Sequence, residues 1–248
     1  MRPVVPTSAA EAPEDVAPYL ASLVVAVLLA LGLRLRILEH YLHGSTTANP
    51  LLDVVNRSLL LAFVLQALLF IGLALRHMLP RLWRSSRLRR QQLRLLAVLA
   101  SGLTLLNLLS ENLAIYRLNL ESYSLMLESL VLYLSVTLVF LFWYWYIDHP
   151  PRNAGSLWQH RSEEGKVSMP YGIVFPEESL ERDLLQSESW RPSFSDYAYF
   201  TILSSNCFGP PEGHSLVGTP IKSLHVLHSL IMLSVFIVIL ARAINTLS

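Results

Sequence analysis

Apolar positions along the chain gather into five long runs, and charged residues close most of their ends. The first runs from Ala17 to Leu33 and is followed by Arg34 and Arg36; the second, Ser58 to Leu75, is bracketed by Arg57 and Arg76. The third occupies Leu95 to Ser110 between Arg94 and Glu111, the fourth Ser129 to about Ile147, and the fifth Ser223 to Ala241 before Arg242. Roughly 20 mostly apolar residues in a helix span a bilayer, because only a backbone whose hydrogen bonds are internal survives without water. The pattern therefore predicts an all-α integral membrane protein of about five transmembrane helices, each helix overrunning its apolar core.

The polar breaks divide the chain. Residues 1–16 carry Pro3, Pro6 and Pro13 and the acids Glu11, Glu14 and Asp15, and read as a disordered tail. No secretory signal is expected ahead of the first span, since Leu33 is followed by Arg-Leu-Arg where a cleavage site would need small residues. Residues 17–120 form a three-helix region. Residues 121–248 form a second unit: a helix at 121–147, a polar loop at 148–195, a short segment and turn at 196–213, and a last helix at 221–247. The helix at 121–147 ends in Phe142-Trp143-Tyr144-Trp145-Tyr146, an aromatic group suited to the headgroup interface. Within the polar loop, Ser179 to Glu188 is expected to form an amphipathic helix with Leu180, Leu184 and Leu185 on one face.

Between the loop and the last span lies a run too short to cross a membrane. Tyr197 to Ser205 makes a nine-residue half-helix, with Ser195 or Asp196 as its N-cap. Asn206-Cys207-Phe208-Gly209-Pro210-Pro211-Glu212-Gly213, rich in turn formers, follows it. Half-helix, turn and return together describe a re-entrant loop.

The residues of this loop resemble the pore helix and first filter residues of the potassium-channel pore module. That module commonly reads Tyr-Phe-Thr-x-x-Thr-x-Thr-Thr-Val-Gly-Tyr-Gly-Asp, and this chain has Tyr199-Phe200-Thr201-Ile202-Leu203-Ser204-Ser205-Asn206-Cys207-Phe208-Gly209. Ser204 stands for a hydroxyl residue, and Glu212 falls where the family has its acid. The resemblance implies an outer helix in the fourth span, an inner helix in the fifth, and a homo-oligomer, by analogy a tetramer. Two departures limit it. Pro210 and Pro211 occupy the positions of the filter Tyr and second Gly; proline fixes φ and restricts its predecessor, so the ladder of carbonyls that selects potassium is not expected. The fifth span also has no glycine for a hinge. The chain further resembles a group of uncharacterised bacterial membrane proteins through Trp143-Tyr144-Trp145-Tyr146-Ile147-Asp148, Phe175-Pro176 and Trp190-Arg191-Pro192-Ser193-Phe194-Ser195-Asp196-Tyr197. The pore-loop candidates are Ser204, Ser205, Asn206, Cys207, Phe208, Gly209 and Glu212, with Asn206 and Glu212 as selectivity candidates.

Composition narrows the classes. The chain is 53% apolar and 15% charged with a mean hydropathy of +0.45, outside the range of an ordinary soluble domain. Its net charge of +1 leaves no electrostatic footprint for nucleic acid. One cysteine, Cys207, excludes a disulfide framework and multi-cysteine metal sites. Charge matters by position: Arg81, Arg84, Arg87 and Arg90 recur every third residue, the spacing of a voltage sensor, but Ser85, Ser86, Arg89, Gln91 and Gln92 between them are too polar for a buried one. These arginines read as a solvated connecting loop that contacts anionic headgroups of the bilayer. The positive-inside rule places that loop, and the polar loop on the same side, in the cytoplasm, whereas the channel resemblance places the pore loop outside.

A second hypothesis uses histidine. His77, His149, His225 and His228 fall near the arginine side; His225 and His228, at i and i+3, share a helix face and are the candidates for a haem or metal site. The blander reading is interfacial histidines, and Glu39, Glu111 and Glu128 paired with Arg34 or Arg117. No resident cofactor is expected. No nucleophilic triad, phosphate-binding loop or dinucleotide fingerprint is present, so an enzyme is not expected. The expected function is a channel-like protein of the cell (inner) membrane, multi-pass, with a permeant ion and a pore loop that is not potassium-selective or does not conduct. The alternatives are an accessory or scaffold subunit of a membrane complex and the haem- or metal-binding protein.

Overall fold

The structure is a computed structural model and describes residues 13–43, 50–78, 86–114, 122–153, 172–179 and 191–247. Its elements run α1 (Pro13–His43), α2 (Pro50–Met78), α3 (Ser86–Ala114), α4 (Ser122–Asn153), β1 (Gly172–Val174), α5 (Phe194–Cys207), β2 (Ser215–Val217) and α6 (Thr219–Leu247), with one 3-10 turn at Pro176–Ser179. Among the described residues, five helices are long and apolar enough to cross a membrane, over Val16–Arg36, Arg57–Leu75, Arg90–Ser110, Met126–His149 and Thr219–Ala241. The chain is thus a mostly helical, multi-pass membrane protein by the length and composition of its helices.

Polar links hold the first three helices where lipid gives no hydrophobic drive for helices to associate. Asn107 donates its Nδ2 to the Ala30 carbonyl at 2.7 Å, and Arg34 donates to Ser110 Oγ at 2.5 Å, both across the α1–α3 contact. The Arg34 guanidinium also lies 5.4 Å from the Phe63 ring centroid. Ala26, Ala30, Ala97 and Ala100 are fully buried, and such small side chains let helix backbones approach closely. Gln66 donates to the Leu99 carbonyl at 2.9 Å and lies directly over Gly102, where a Cβ would collide with its amide. That contact seats α2 on α3, while Leu61, Val64, Leu65, Leu68 and Leu69 on α2 stay exposed as a lipid-facing surface.

Helix α4 is the shared wall, touching α1 and α3 on one side and α5 and α6 on the other. Phe142, Tyr144 and Trp145 are buried between helices, while Trp143 and Tyr146 are half-buried, so most of the aromatic group packs inside the bundle. Trp145 stacks on Tyr19 of α1 at 4.3 Å between ring centroids, and Trp143 donates to Ser101 Oγ of α3 at 2.9 Å. Next to Trp145, Tyr146 donates to the Arg90 carbonyl at 3.3 Å and its ring lies 5.4 Å from the Arg90 guanidinium. The start of α3, the end of α4 and the start of α1 therefore share one end of the bundle.

Several boundaries differ from the sequence reading. Helix α3 begins at Ser86, so Arg87 and Arg90 stand in its first turns and not in a connecting loop; Arg81 and Arg84 lie outside the described residues. Helix α1 starts at Pro13, inside the expected tail, and α4 continues to Asn153. The polar loop contributes a strand: β1 pairs antiparallel with β2, Ile173 opposite Leu216, a small two-stranded sheet beside the helices. The helix expected over Ser179 to Glu188 lies outside the described residues except for Ser179 itself, which closes the 3-10 turn.

Candidate functional site

The short helix α5 begins beside the C-terminal end of α4 and descends along it. Asp148 of α4, fully buried, accepts the Tyr197 hydroxyl at 2.5 Å on one carboxylate oxygen and the Ile173 N–H at 2.7 Å on the other. One side chain thereby fastens α4, the start of α5 and β1 together. Gly172 makes this approach possible: its φ is +149°, and a Cβ there would meet the Asp148 carboxylate. Further down, Tyr144 packs edge-on against Phe200 at 4.9 Å between centroids, Thr137 Oγ1 lies 3.2 Å from Ser205 Oγ, and Tyr133 donates to Asn206 Oδ1 at 2.9 Å. From Asp148 to Tyr133 these contacts cover about 22 Å of α4, at ~1.5 Å per residue, so α5 runs along about half of that helix.

Its N-terminus explains why α5 is longer than the expected nine residues. Ser193 is the N-cap, and Asp196, three residues on, accepts both the Ser193 N–H at 2.7 Å and the Ser193 hydroxyl at 2.8 Å. The cap therefore stands two or three residues earlier than one at Ser195 or Asp196 would. The C-terminus stops at Phe208, whose φ of 55° is left-handed, a conformation usually left to glycine. The Phe208 ring packs on Phe236 at 5.5 Å between centroids, and Ser229 donates to its carbonyl at 3.2 Å, so α6 holds it there.

The chain then returns to the level at which α5 began. The His214 ring lies 5.5 Å from Phe200 and 5.3 Å from Phe175, and β2 joins β1 directly afterwards. The return is not a ladder of extended carbonyls: the His214 N–H bonds to the Pro211 carbonyl at 3.0 Å, and Gly213, at φ +80°, closes the turn against Pro176. Pro211 is buried, whereas Asn206, Cys207, Phe208, Pro210 and Glu212 are exposed.

A buried polar cluster fills the space between α4, α5 and α6. The Tyr144 hydroxyl lies 3.0 Å from His225 Nδ1 and 3.0 Å from His228 Nδ1. The other nitrogen of His228, Nε2, lies 3.1 Å from Ser205 Oγ, and the His228 ring stacks on Phe140 at 4.2 Å. His225 Nε2 and Ser204 Oγ are buried and have no hydrogen-bond partner among the described residues. Both histidines are thus committed to a tyrosine; and among the described residues no three His, Cys, Asp or Glu side chains come together as a metal site would need.

The sequence marks Ser205, Asn206, His225 and His228 as site candidates, whereas Tyr144, Asp148 and Tyr197 enter it only through the aromatic group, the half-helix and the motifs, and Thr137 and Tyr133 not at all. The signal was present in α4: Tyr133, Thr137, Phe140, Tyr144 and Asp148 recur at intervals of three or four and so line one helix face. Glu128 is buried and Arg34 is hydrogen-bonded, while the side chains of His77, Glu39 and Glu111, and the whole of Arg117, lie outside the described residues. No protein-family model, curated protein or solved structure matches the chain.

Proposed function

We propose that the chain is a channel-like protein of the cell (inner) membrane, a homo-oligomer whose α4, α5 and α6 act as outer helix, re-entrant pore helix and inner helix around a path that does not select potassium. The observation that carries this is the course of α5: it runs down α4 from Asp148 to Tyr133 and the chain then climbs back to β2, entering and leaving at one end of the bundle. The turn at Pro211–His214 supports the loss of potassium selectivity, because its carbonyls are not aligned along one axis. The exposed flank of α5, with Tyr199, Ile202 and Phe208, offers large apolar side chains to further copies of the chain. The C-terminal end of α5 bears the negative pole of its helix dipole near Asn206, which favours cations.

Flux through reconstituted liposomes, with potassium, sodium and chloride in turn, tests this reading. Asn206→Ala and Glu212→Gln are expected to change the size or selectivity of a cation flux. Vesicles that pass no ion faster than empty ones would refute conduction and leave the accessory-subunit reading.

A further inference from the structure

We propose that the groove between the first turns of α3 and the last turns of α4 seats an anionic phospholipid, its phosphate on Arg90 and Arg94 and its acyl chains along the apolar stripe of α3. The proposal goes beyond the channel reading and is independent of it: both arginines stand on α3, and no residue of α5 or of the return turn enters the argument.

Helix periodicity places the two arginines. Arg90, Arg94 and Ser101, at i, i+4 and i+11, share one face of α3. The outer two of these are tied to rings of α4: Tyr146 donates to the Arg90 carbonyl at 3.3 Å and lies 5.4 Å from its guanidinium, and Trp143 donates to Ser101 Oγ at 2.9 Å. Those two rings meet edge to face, 5.8 Å between centroids, and both are half-buried. Arg94 stands between the two tie points, so its exposed side chain emerges beside the same pair of rings. It lies about 6 Å further along the helix than Arg90, at ~1.5 Å per residue, a distance that an arginine side chain bridges by reaching back towards the polar zone.

Charge and apolar surface then select the occupant. Among the described residues neither guanidinium meets a carboxylate: Arg90 lies against the Tyr146 ring alone, and Arg94 has no ion pair or hydrogen bond from its side chain. Directly beyond them the same side of α3 turns apolar, with Leu95, Val98, Leu105 and Leu109 each 45–48% exposed at intervals of three, seven and four residues. Two positive charges at the end of a lipid-facing stripe, beside a tryptophan and a tyrosine of the kind that sit at headgroup level, complement a molecule with a phosphate at one end and acyl chains behind it. The Tyr146 ring already holds the Arg90 guanidinium, so less side-chain freedom is lost when a phosphate binds. A zwitterionic headgroup would set its own cation beside the two arginines, which favours a headgroup of net negative charge. Inorganic phosphate has no chains to lay on the stripe, and the site is assigned to lipid.

The test is tryptophan quenching of the full chain in phosphatidylcholine vesicles, into which either phosphatidylglycerol or phosphatidylcholine with brominated chains is mixed at the same fraction. Bromine quenches a tryptophan it touches, and the difference between wild type and Trp143→Phe isolates the signal from the groove. Brominated phosphatidylglycerol is expected to occupy the groove about 25-fold more readily than brominated phosphatidylcholine, the product of about fivefold for each arginine. Arg90→Gln and Arg94→Gln are each expected to cut that preference about fivefold, and the double variant to abolish it. Arg94→Lys keeps the charge and is expected to retain most of the preference, while Lys222→Gln, which removes an exposed charge at the start of α6, is expected to leave it unchanged. Equal quenching by the two lipids would overturn the site. So would a loss in Lys222→Gln as large as that in Arg94→Gln, the mark of diffuse surface charge. Added inorganic phosphate is expected to leave the quenching in place; full recovery of fluorescence would overturn the lipid and assign the arginines to a free anion. If Trp143→Phe fails to fold, retention of phosphatidylglycerol by wild type but not by the double arginine variant in native mass spectrometry decides, and equal retention overturns the proposal. Ion flux is no part of the readout, so this outcome stands apart from that of the channel reading.

Discussion

Replacing Asp148 by alanine removes the acceptor that joins α4, α5 and β1. Both of its carboxylate oxygens are occupied, one by the Ile173 N–H at 2.7 Å and one by the Tyr197 hydroxyl at 2.5 Å, and Asp148, Ile173 and Tyr197 are all buried. Each donor left without an acceptor costs about 1–3 kcal/mol, so Asp148→Ala is expected to destabilise by about 2–6 kcal/mol. For a chain of this size ~1 kcal/mol corresponds to about 2–4 °C in Tm, which puts the expected fall on the order of 10 °C. Tyr197→Phe deletes only one donor and is expected to lose about 1–3 kcal/mol. In the double variant the hydroxyl is already gone, so the loss should fall short of the sum by about 1 kcal/mol or more, the coupling that contacting residues show. Thermal unfolding in detergent, followed by size-exclusion of the surviving monodisperse fraction, measures all three. A Tm for Asp148→Ala within about 2 °C of wild type, or strict additivity with Tyr197→Phe, would refute the claim that this carboxylate fastens α5.

Other outcomes follow from the same packing. Gly172→Ala places a Cβ on the Asp148 carboxylate at a backbone angle that L residues rarely adopt, and is expected to lower the same Tm by a few degrees, roughly 1–3 kcal/mol; an unchanged value would show that β1 can step aside. Leu96→Ala, at a fully buried position of α3, is expected to cost about 2–5 kcal/mol, whereas Leu68→Ala on the exposed face of α2 should stay within about 0.5 kcal/mol; equal losses would contradict the packing. In a Cys207→Ser background, Glu212→Cys and Arg90→Cys are expected to react with a charged, impermeant thiol reagent from the same side of sealed vesicles. Reaction from opposite sides would sink the re-entrant course of α5.

The sequence showed the long helices because bilayer thickness imposes a run of apolar residues that no other constraint disguises. Boundaries were less legible. The first turn of α5, Phe194-Ser195-Asp196, looks polar and loop-like, but Asp196 serves the cap and the helix begins before the apolar run does. Strands β1 and β2 hold three residues each, too few for an alternation to register. Burial of Phe142, Tyr144 and Trp145 was hidden because an aromatic group at a helix end suits a headgroup zone and a packed interface equally well. The candidate site was half legible: the spacing of His225 and His228 pointed to a shared face, but their partner Tyr144 lies 81 residues from His225 in sequence and belongs to another helix. Only the three- and four-residue stripe along α4 carried that information, and it also reads as ordinary core.

The placement of α4 has a mechanical consequence. It behaves as a shaft keyed on two sides: Trp145 on Tyr19 and Trp143 on Ser101 lock it to α1 and α3, while Asp148, Tyr144, Thr137 and Tyr133 lock its opposite face to α5 and α6. Turning α4 about its axis would shear both sets at once, so it is the stator of the assembly. The lower part of α6, by contrast, packs through apolar side chains alone, with Met232, Val235 and Val238 buried and Phe236 against Tyr133 and Phe208. Helix α6 is bonded to this fixed wall at His228 and Ser229, through Tyr144, Ser205 and the Phe208 carbonyl.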